Sequence, residues 1–163
     1  MRFNRVHFLV LVLYLILTLL FTYPLALAFT THVPGSATWA FDEYTFLWNM
    51  WWFKRALLDL QSNPLYTEHI FYPLGISLVL HTYQLFNDLF SLPLQFFFDL
   101  PAVSNFMLVF SFVLSGYGTY LLVLYLLEGW KNGRVEDWKM SKLASNLPVQ
   151  ASHFAAFVAG VVY

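Results

Sequence analysis

Between Phe8 and Phe29 the chain runs for 22 residues without a charged side chain. As an α-helix rising 1.5 Å per residue it reaches about 33 Å, enough for a hydrocarbon core of about 30 Å. A second run, Ala102 to Leu127, is again free of charge and reads as a clear membrane helix. Composition agrees: apolar residues make up 60% of the chain and charged residues 10%, against about 25% charged in a soluble domain. Mean hydropathy is +0.62. The expected fold is therefore an all-α integral membrane protein, one membrane domain over residues 1–163.

The basic start, with Arg2 and Arg5, also suits a signal peptide, and Ala26-Leu27-Ala28 resembles a cleavage box. A signal's apolar region is only about 7–15 residues long, so an uncleaved first helix over 8–29 is preferred. With no cysteine in the chain, thiolate catalysis and a Cys-ligated metal are excluded. A net charge of −1 gives no reason to expect a nucleic-acid partner. Phosphate-binding Gly-rich loops, HExxH and GxSxG are all absent, which argues against nucleotide-driven transport and several hydrolase classes.

Beyond the first helix, Pro34 and Gly35 mark a polar turn region. From Phe41 to Leu60, Leu47, Met50, Trp51, Lys54, Leu57 and Leu58 recur at helical steps. The segment is too polar at its ends to span and is expected to lie flat on the membrane as an interfacial amphipathic helix. Gln61 to Pro64 ends it, and Leu65 to Gly75 reads as a loop. Ile76 to Phe98 is long enough to cross but carries His81, Gln84, Asn87, Asp88, Pro93 and Gln95. If it does not cross, Arg2, Arg5, Lys131, Arg134, Lys139 and Lys142 share one side, leaving only Lys54 and Arg55 opposite. The positive-inside rule then favours a re-entrant or non-crossing segment, although inverting the whole chain would rescue the crossing alternative. The resulting plan is helix 8–29, an extracytoplasmic region 30–101, helix 102–127, a cytoplasmic loop 128–150 and the start of a further helix at 151–163. The protein is expected in the plasma (inner) membrane, multi-pass, with its N-terminus cytoplasmic. Gly133 to Lys142 is expected to be partly helical. Thirteen residues from Ala151 to Tyr163 reach only about 20 Å as a helix, so either a longer chain or a partner subunit is expected to complete it.

Chemistry concentrates at Asp42 and Glu43, just before the tryptophans Trp48, Trp51 and Trp52. One reading makes Asp42 and Glu43 catalytic, as a general base, or ligands of a divalent cation such as Mg or Mn, which takes oxygen donors. The plainer reading is an N-terminal cap, with Asp42 capping a helix Tyr44–Leu60 and Glu43 suited to its positive end. Lys54 and Arg55 suit a phosphate, or simply snorkel into water. His69 and His81 suit acid/base or phosphate roles, or a hydrogen-bonded structural role, and the Glu68–His69 pair is exposed but unspecific. Asp88 is a functional candidate if it lies in hydrocarbon and merely solvated if it lies at the interface. The small residues Ser111, Ser115, Gly116 and Gly118 offer a close helix–helix face.

The order of these features, with Asn63-Pro64-Leu65-Tyr66, Phe71-Tyr72-Pro73-Leu74-Gly75-Ile76-Ser77 and Leu80-His81-Thr82 following the acidic pair, resembles the N-terminal part of bacterial multi-spanning glycosyltransferases of the GT-C type, which use polyprenyl-phosphate sugars, and also that of large bacterial membrane proteins related to them. The resemblance covers roughly residues 5–127, and 155–163 resembles the start of the next helix. It implies sugar transfer from a lipid-phosphate donor on the outer face, with Asp42 at the position of the acidic catalytic residue and Glu43 as its neighbour. It further implies an aromatic helix bordering the lipid-donor groove, with Trp51 and Trp52 as substrate-binding residues; Lys54, Arg55 and His81 are expected to bind substrate by their own chemistry and match no motif assigned to that family. Such enzymes have many more helices than this chain. The implied partners are membrane lipid or a lipid-linked sugar. The competing reading is a structural or assembly subunit of a larger membrane complex, meeting a protein partner through 102–127 and 151–163. A proton-relaying transporter built on Asp88 and His81 is weaker, for want of helices.

Overall fold

The first apolar run folds as helix α1, Arg5–Phe21, in the computed structural model, which describes residues 5–35, 41–132, 142, 144 and 146–162. The helix was expected to continue to Phe29 but stops three residues before Pro24. Proline lacks the donor N–H, clashes with the preceding turn and pushes the residue before it out of the α region. A single 3-10 turn, Leu25–Leu27, follows. At 17 residues α1 is only about 25 Å long. Among the described residues one helix is long and apolar enough to cross a membrane: α4, Leu100–Lys131, with 32 residues. It extends past the expected 102–127 at both ends, and Pro101 sits in its first turn, where a missing N–H leaves nothing unpaired.

The remaining helices are α2 (Phe41–Lys54), α3 (Leu85–Ser91) and α5 (Val149–Val162). Helix α2 matches the expected amphipathic helix. It starts at Phe41 rather than Tyr44, so Asp42 and Glu43 lie in its first turn. There they complement the positive end of the helix dipole, as Lys54 complements the negative end. A π turn, Arg55–Asp59, prolongs it to Leu60, and Gln61 closes it with φ at +48°. Its buried face is Asn49, Met50, Trp52, Phe53 and Ala56, while Trp51, Leu57 and Leu58 remain exposed. The segment 76–98 does not form a crossing helix. It breaks into strand β2 (Ile76–Ser77), a 3-10 turn, α3 and a second 3-10 turn, Leu94–Phe96. Seven residues of α3 span only about 10 Å, and the helix ends just ahead of Pro93. The tract 133–141, where partial helix was expected, lies outside the described residues.

The chain divides into two compact units, Met1–Phe21 with Val109–Tyr163, and Thr22–Leu108. In the first, α1 presents His7, Val10, Tyr14 and Thr18 at helical spacing to its neighbours. Val10, Tyr14, Tyr120, Leu124 and Ala156 form the core. Tyr14 donates its hydroxyl to the carbonyl of Phe157 (2.9 Å) and stacks on that ring at 5.0 Å. Of the small residues expected to form a contact face, Gly116 does so within the chain. A Cβ there would meet the carbonyl of Gly160 and the Tyr14 ring at 3.1 Å. Ser115 and Gly118 stay exposed. Lys131, at the end of α4, donates to the carbonyl of Leu147 (2.9 Å) and to Ser152 Oγ (3.0 Å), fixing the start of α5. Outward-facing positions are strongly apolar: Phe8, Leu9, Leu20, Phe21, Leu122 and Phe154 are all more than half exposed.

In the second unit strand β1 (Tyr66–Thr67) pairs antiparallel with β2, Tyr66 opposite Ser77 and Thr67 opposite Ile76. Trp52, Ala56 and Leu78 form the core beneath this hairpin, with Trp48, Ile70, Ile76 and Tyr83 packed around them.

A Cβ at Gly160 would collide with the Tyr14 hydroxyl and the Gly116 carbonyl, neither of which can retreat without losing backbone packing. Gly160→Val should therefore lower stability by about 1–3 kcal/mol. Gly118→Ala, mid-helix and facing open space, should leave it unchanged or raise it by up to about 1 kcal/mol. Thermal unfolding of the two variants in detergent micelles checks the contrast.

Candidate functional site

Helix α2 carries most of the side chains singled out from sequence, and its geometry separates them. Asp42 is exposed, whereas Glu43 is half-buried and accepts a hydrogen bond from Ser104 Oγ of α4 at 2.5 Å. Lys54 and Arg55 lie about three turns further on, roughly 18 Å along the axis. The acidic and basic pairs are therefore two places on one helix, not one constellation.

The basic pair divides its work. Lys54 Nζ donates to the carbonyl of Gln95 (2.8 Å) and sits 5.2 Å from the Phe96 ring centroid, so its charge is spent on holding the 3-10 turn. Arg55 is exposed, with its guanidinium 5.4 Å from the Trp51 ring, a cation–π geometry that leaves its N–H groups available. Trp51 is partly exposed, but Trp52 is buried and donates Nε1–H to the carbonyl of Pro64 at 3.0 Å. Trp48 and Trp52 stack, with planes 7° apart at 6.0 Å. His81 is exposed beyond the hairpin, and its backbone N–H is what closes the preceding 3-10 turn. His69, not His81, joins the tryptophans: its ring stands edge-on to Trp52 at 5.1 Å.

A divalent cation fits poorly at the acidic turn. Adjacent helical residues point about 100° apart, and Glu43 is already engaged by Ser104. Among the described residues no group of three His, Cys, Asp or Glu converges on a point.

Three features escaped the sequence reading. The first is Ser104 and Asn105, a buried polar pair inside an apolar helix. Asn105 Nδ2 donates to the carbonyls of Phe29 (2.8 Å) and His32 (2.6 Å). Two adjacent polar residues in Ala102-Val103-Ser104-Asn105-Phe106 were the available signal. The second lies in the other unit, where His7, Tyr117, Tyr120 and His153 meet. Tyr120 Oη lies 2.7 Å from His153 Nδ1, Tyr117 Oη lies 3.2 Å from His7 Nδ1, and the imidazoles are 6.4 Å apart. Three separate segments supply this cluster, so no local pattern announced it. The third is a cleft of about 270 Å³ beside the hairpin, lined by Trp52, Asn63, Tyr66, Thr67, Glu68 and His69 among others.

Asp88 faces inward in α3, only 1% exposed. Its helix is tied to α2 by Gln95 Nε2, which donates to the carbonyl of Met50 (3.1 Å) and to Ser91 Oγ (3.0 Å), while Ser91 Oγ donates to the Asp88 carbonyl (2.8 Å). Asn49 Nδ2 donates to the Thr82 carbonyl across the same seam (2.9 Å). Among the described residues neither Asp88 carboxylate oxygen, nor Asn49 Oδ1, has a donor. Burial pushes the Asp88 carboxyl from the usual carboxylate range up to about 7. The Tyr83 phenol is raised too, first by burial and then by the charge of Asp88.

No family model, curated protein or solved structure matches the chain.

The raised Asp88 value has a definite sign. The folded state holds the proton more tightly than the unfolded chain, so stability is full below the unfolded value near pH 4 and declines as pH rises through about 7. The melting temperature should fall by roughly 5 °C or more between pH 5 and pH 8. Asp88→Asn should flatten that dependence, as followed by thermal unfolding across pH.

Proposed function

We propose that the chain is the N-terminal portion of a membrane glycosyltransferase of the GT-C type, transferring a sugar from a lipid-phosphate donor at the outer face of the plasma membrane. The observation that carries this reading is the acidic turn at the start of α2. Asp42 is exposed there, and its neighbour Glu43 is pinned by Ser104 to α4, among the described residues the one helix long and apolar enough to cross a membrane. An exposed carboxylate next to one tethered to α4 suits a general base for an acceptor that arrives from water while the donor stays in the lipid.

In this scheme the Asp42 carboxylate takes the proton of the acceptor hydroxyl. The acceptor oxygen then bonds to the anomeric carbon as the bond from that carbon to the lipid phosphate breaks, and the phosphate leaves with the electron pair. Arg55, stacked on Trp51 with exposed N–H groups, suits the donor phosphate better than Lys54, which is occupied at Gln95. The exposed apolar side chains of α1, α4 and α5 support a chain that crosses the membrane more than once, since contiguous apolar surface of this kind needs a lipid or protein cover.

Membranes carrying the protein, supplied with polyprenyl-phosphate-linked sugar and an envelope acceptor, should lose transfer by about 10²–10⁴-fold on Asp42→Asn. Undiminished transfer would remove Asp42 from the chemistry. Topology is open to a clean probe, because residues 1–163 contain no cysteine. A cysteine placed at Tyr72 should react with a membrane-impermeant maleimide in intact cells, and one at Asn132 only after permeabilisation. The reverse pattern would invert the proposed orientation.

A further inference from the structure

We propose that the cleft between the end of α2 and the β-hairpin is a binding subsite for a single neutral sugar ring. The assignment takes its substrate class from the sugar-transfer reading, but it stands on residues remote in sequence from Asp42.

The cleft is built rather than incidental. Tyr66, 42% exposed, is fixed because its hydroxyl donates to the Leu74 carbonyl at 2.6 Å and packs against Gly75, whose φ of +69° lets the loop turn there. Trp52 is fixed by its bond to Pro64. Asn63 Oδ1 accepts from the Leu65 N–H (2.9 Å), and Thr67 Oγ1 accepts from the His69 N–H (3.1 Å), so both side chains serve to hold the loop. This leaves the Glu68 carboxylate and the His69 imidazole, both exposed and without a hydrogen-bond partner among the described residues. They stand beside the exposed ring of Tyr66, with the buried Trp52 at the base of the cleft.

That set of groups discriminates among ligands. Among the described residues lining the cleft there is no Lys or Arg. A phosphate or carboxylate would therefore meet the charge of Glu68 with no cation to offset it. An acyl chain would strip water from Glu68 and His69 and return no hydrogen bond. A sugar ring presents a C–H face for the exposed Tyr66 ring and vicinal hydroxyls that donate to a carboxylate and exchange hydrogen bonds with an imidazole. The volume of about 270 Å³, just below the roughly 300–1,000 Å³ of drug-sized sites, accommodates a single ring.

The test uses the full chain in detergent, with the neutral methyl glycosides of glucose, galactose and mannose as probes. Saturation-transfer NMR and tryptophan fluorescence report binding, and glycerol controls for unspecific polyol effects. At least one glycoside should bind with a dissociation constant on the order of 1–10 mM. Glu68→Gln and His69→Ala should each weaken it about tenfold, and Asp42→Asn should leave it within about twofold. Both cleft side chains are exposed, so an unchanged melting temperature verifies that each variant is folded, and either variant suffices if the other is not. Absence of binding, binding that glycerol reproduces, or binding indifferent to both cleft variants would overturn the subsite. Binding that depends on Asp42 and not on Glu68 would also overturn it while leaving the transfer reading intact. Binding that follows Glu68 in a protein whose transfer ignores Asp42 would do the converse.

Discussion

Hydrogen bonds from side chains to backbone carbonyls hold the Thr22–Leu108 unit together. This stretch is poor in regular structure: among its described residues the paired strands are two residues each, and 3-10 turns recur through it. Such backbone leaves carbonyls that no helix or sheet ladder satisfies, and each one buried without a donor would cost about 1–3 kcal/mol. The helices supply the donors. Asn49 serves Thr82, Trp52 serves Pro64, Lys54 serves Gln95, and Asn105 serves both Phe29 and His32. Tyr83 adds a second donor to Pro64. The same residues that look like a polar contamination of α2 and α4 are what allow the loops to pack.

That requirement also sorts the charges. Lys54 and Arg55 are neighbours in sequence, but one is drawn inward to a carbonyl and the other stays out over an indole ring. Three acids meet three environments: Asp42 in water, Glu43 tethered to a hydroxyl, and Asp88 buried where burial favours its neutral form. Neutral Asp88 avoids the several kcal/mol that an unpaired buried charge would cost. The chemistry open to each acid follows from its surroundings, since all three share one intrinsic acidity range.

Some of this was legible in the residues alone. The acidic first turn, the helix over Phe41–Leu60 and its stop at Gln61 follow from local spacing and turn chemistry. The break at Pro93 and the long α4 follow in the same way. The length of α1 was misjudged because hydropathy continues smoothly across Pro24, whereas the backbone cannot. The inward face of α2, with Asn49, Trp52 and Ala56, was not read from the residues, because that face must satisfy carbonyls as well as bury apolar area.

The sequence by itself determined that this chain is helical and apolar, where its breakers fall, and that one acidic pair, Asp42 and Glu43, opens a helix. Those are consequences of properties that act within a few residues: hydropathy, proline geometry and helix periodicity. Only the tertiary structure decided which polar groups meet. Ser104 reaches Glu43, His69 and not His81 stands against Trp52, and Gly116 lies against Gly160. Each pairing joins residues tens of positions apart except His69 with Trp52, which depends on the hairpin register. Contacts of that kind are selected by the need to pair buried donors with acceptors and to exclude voids, and no local pattern encodes them.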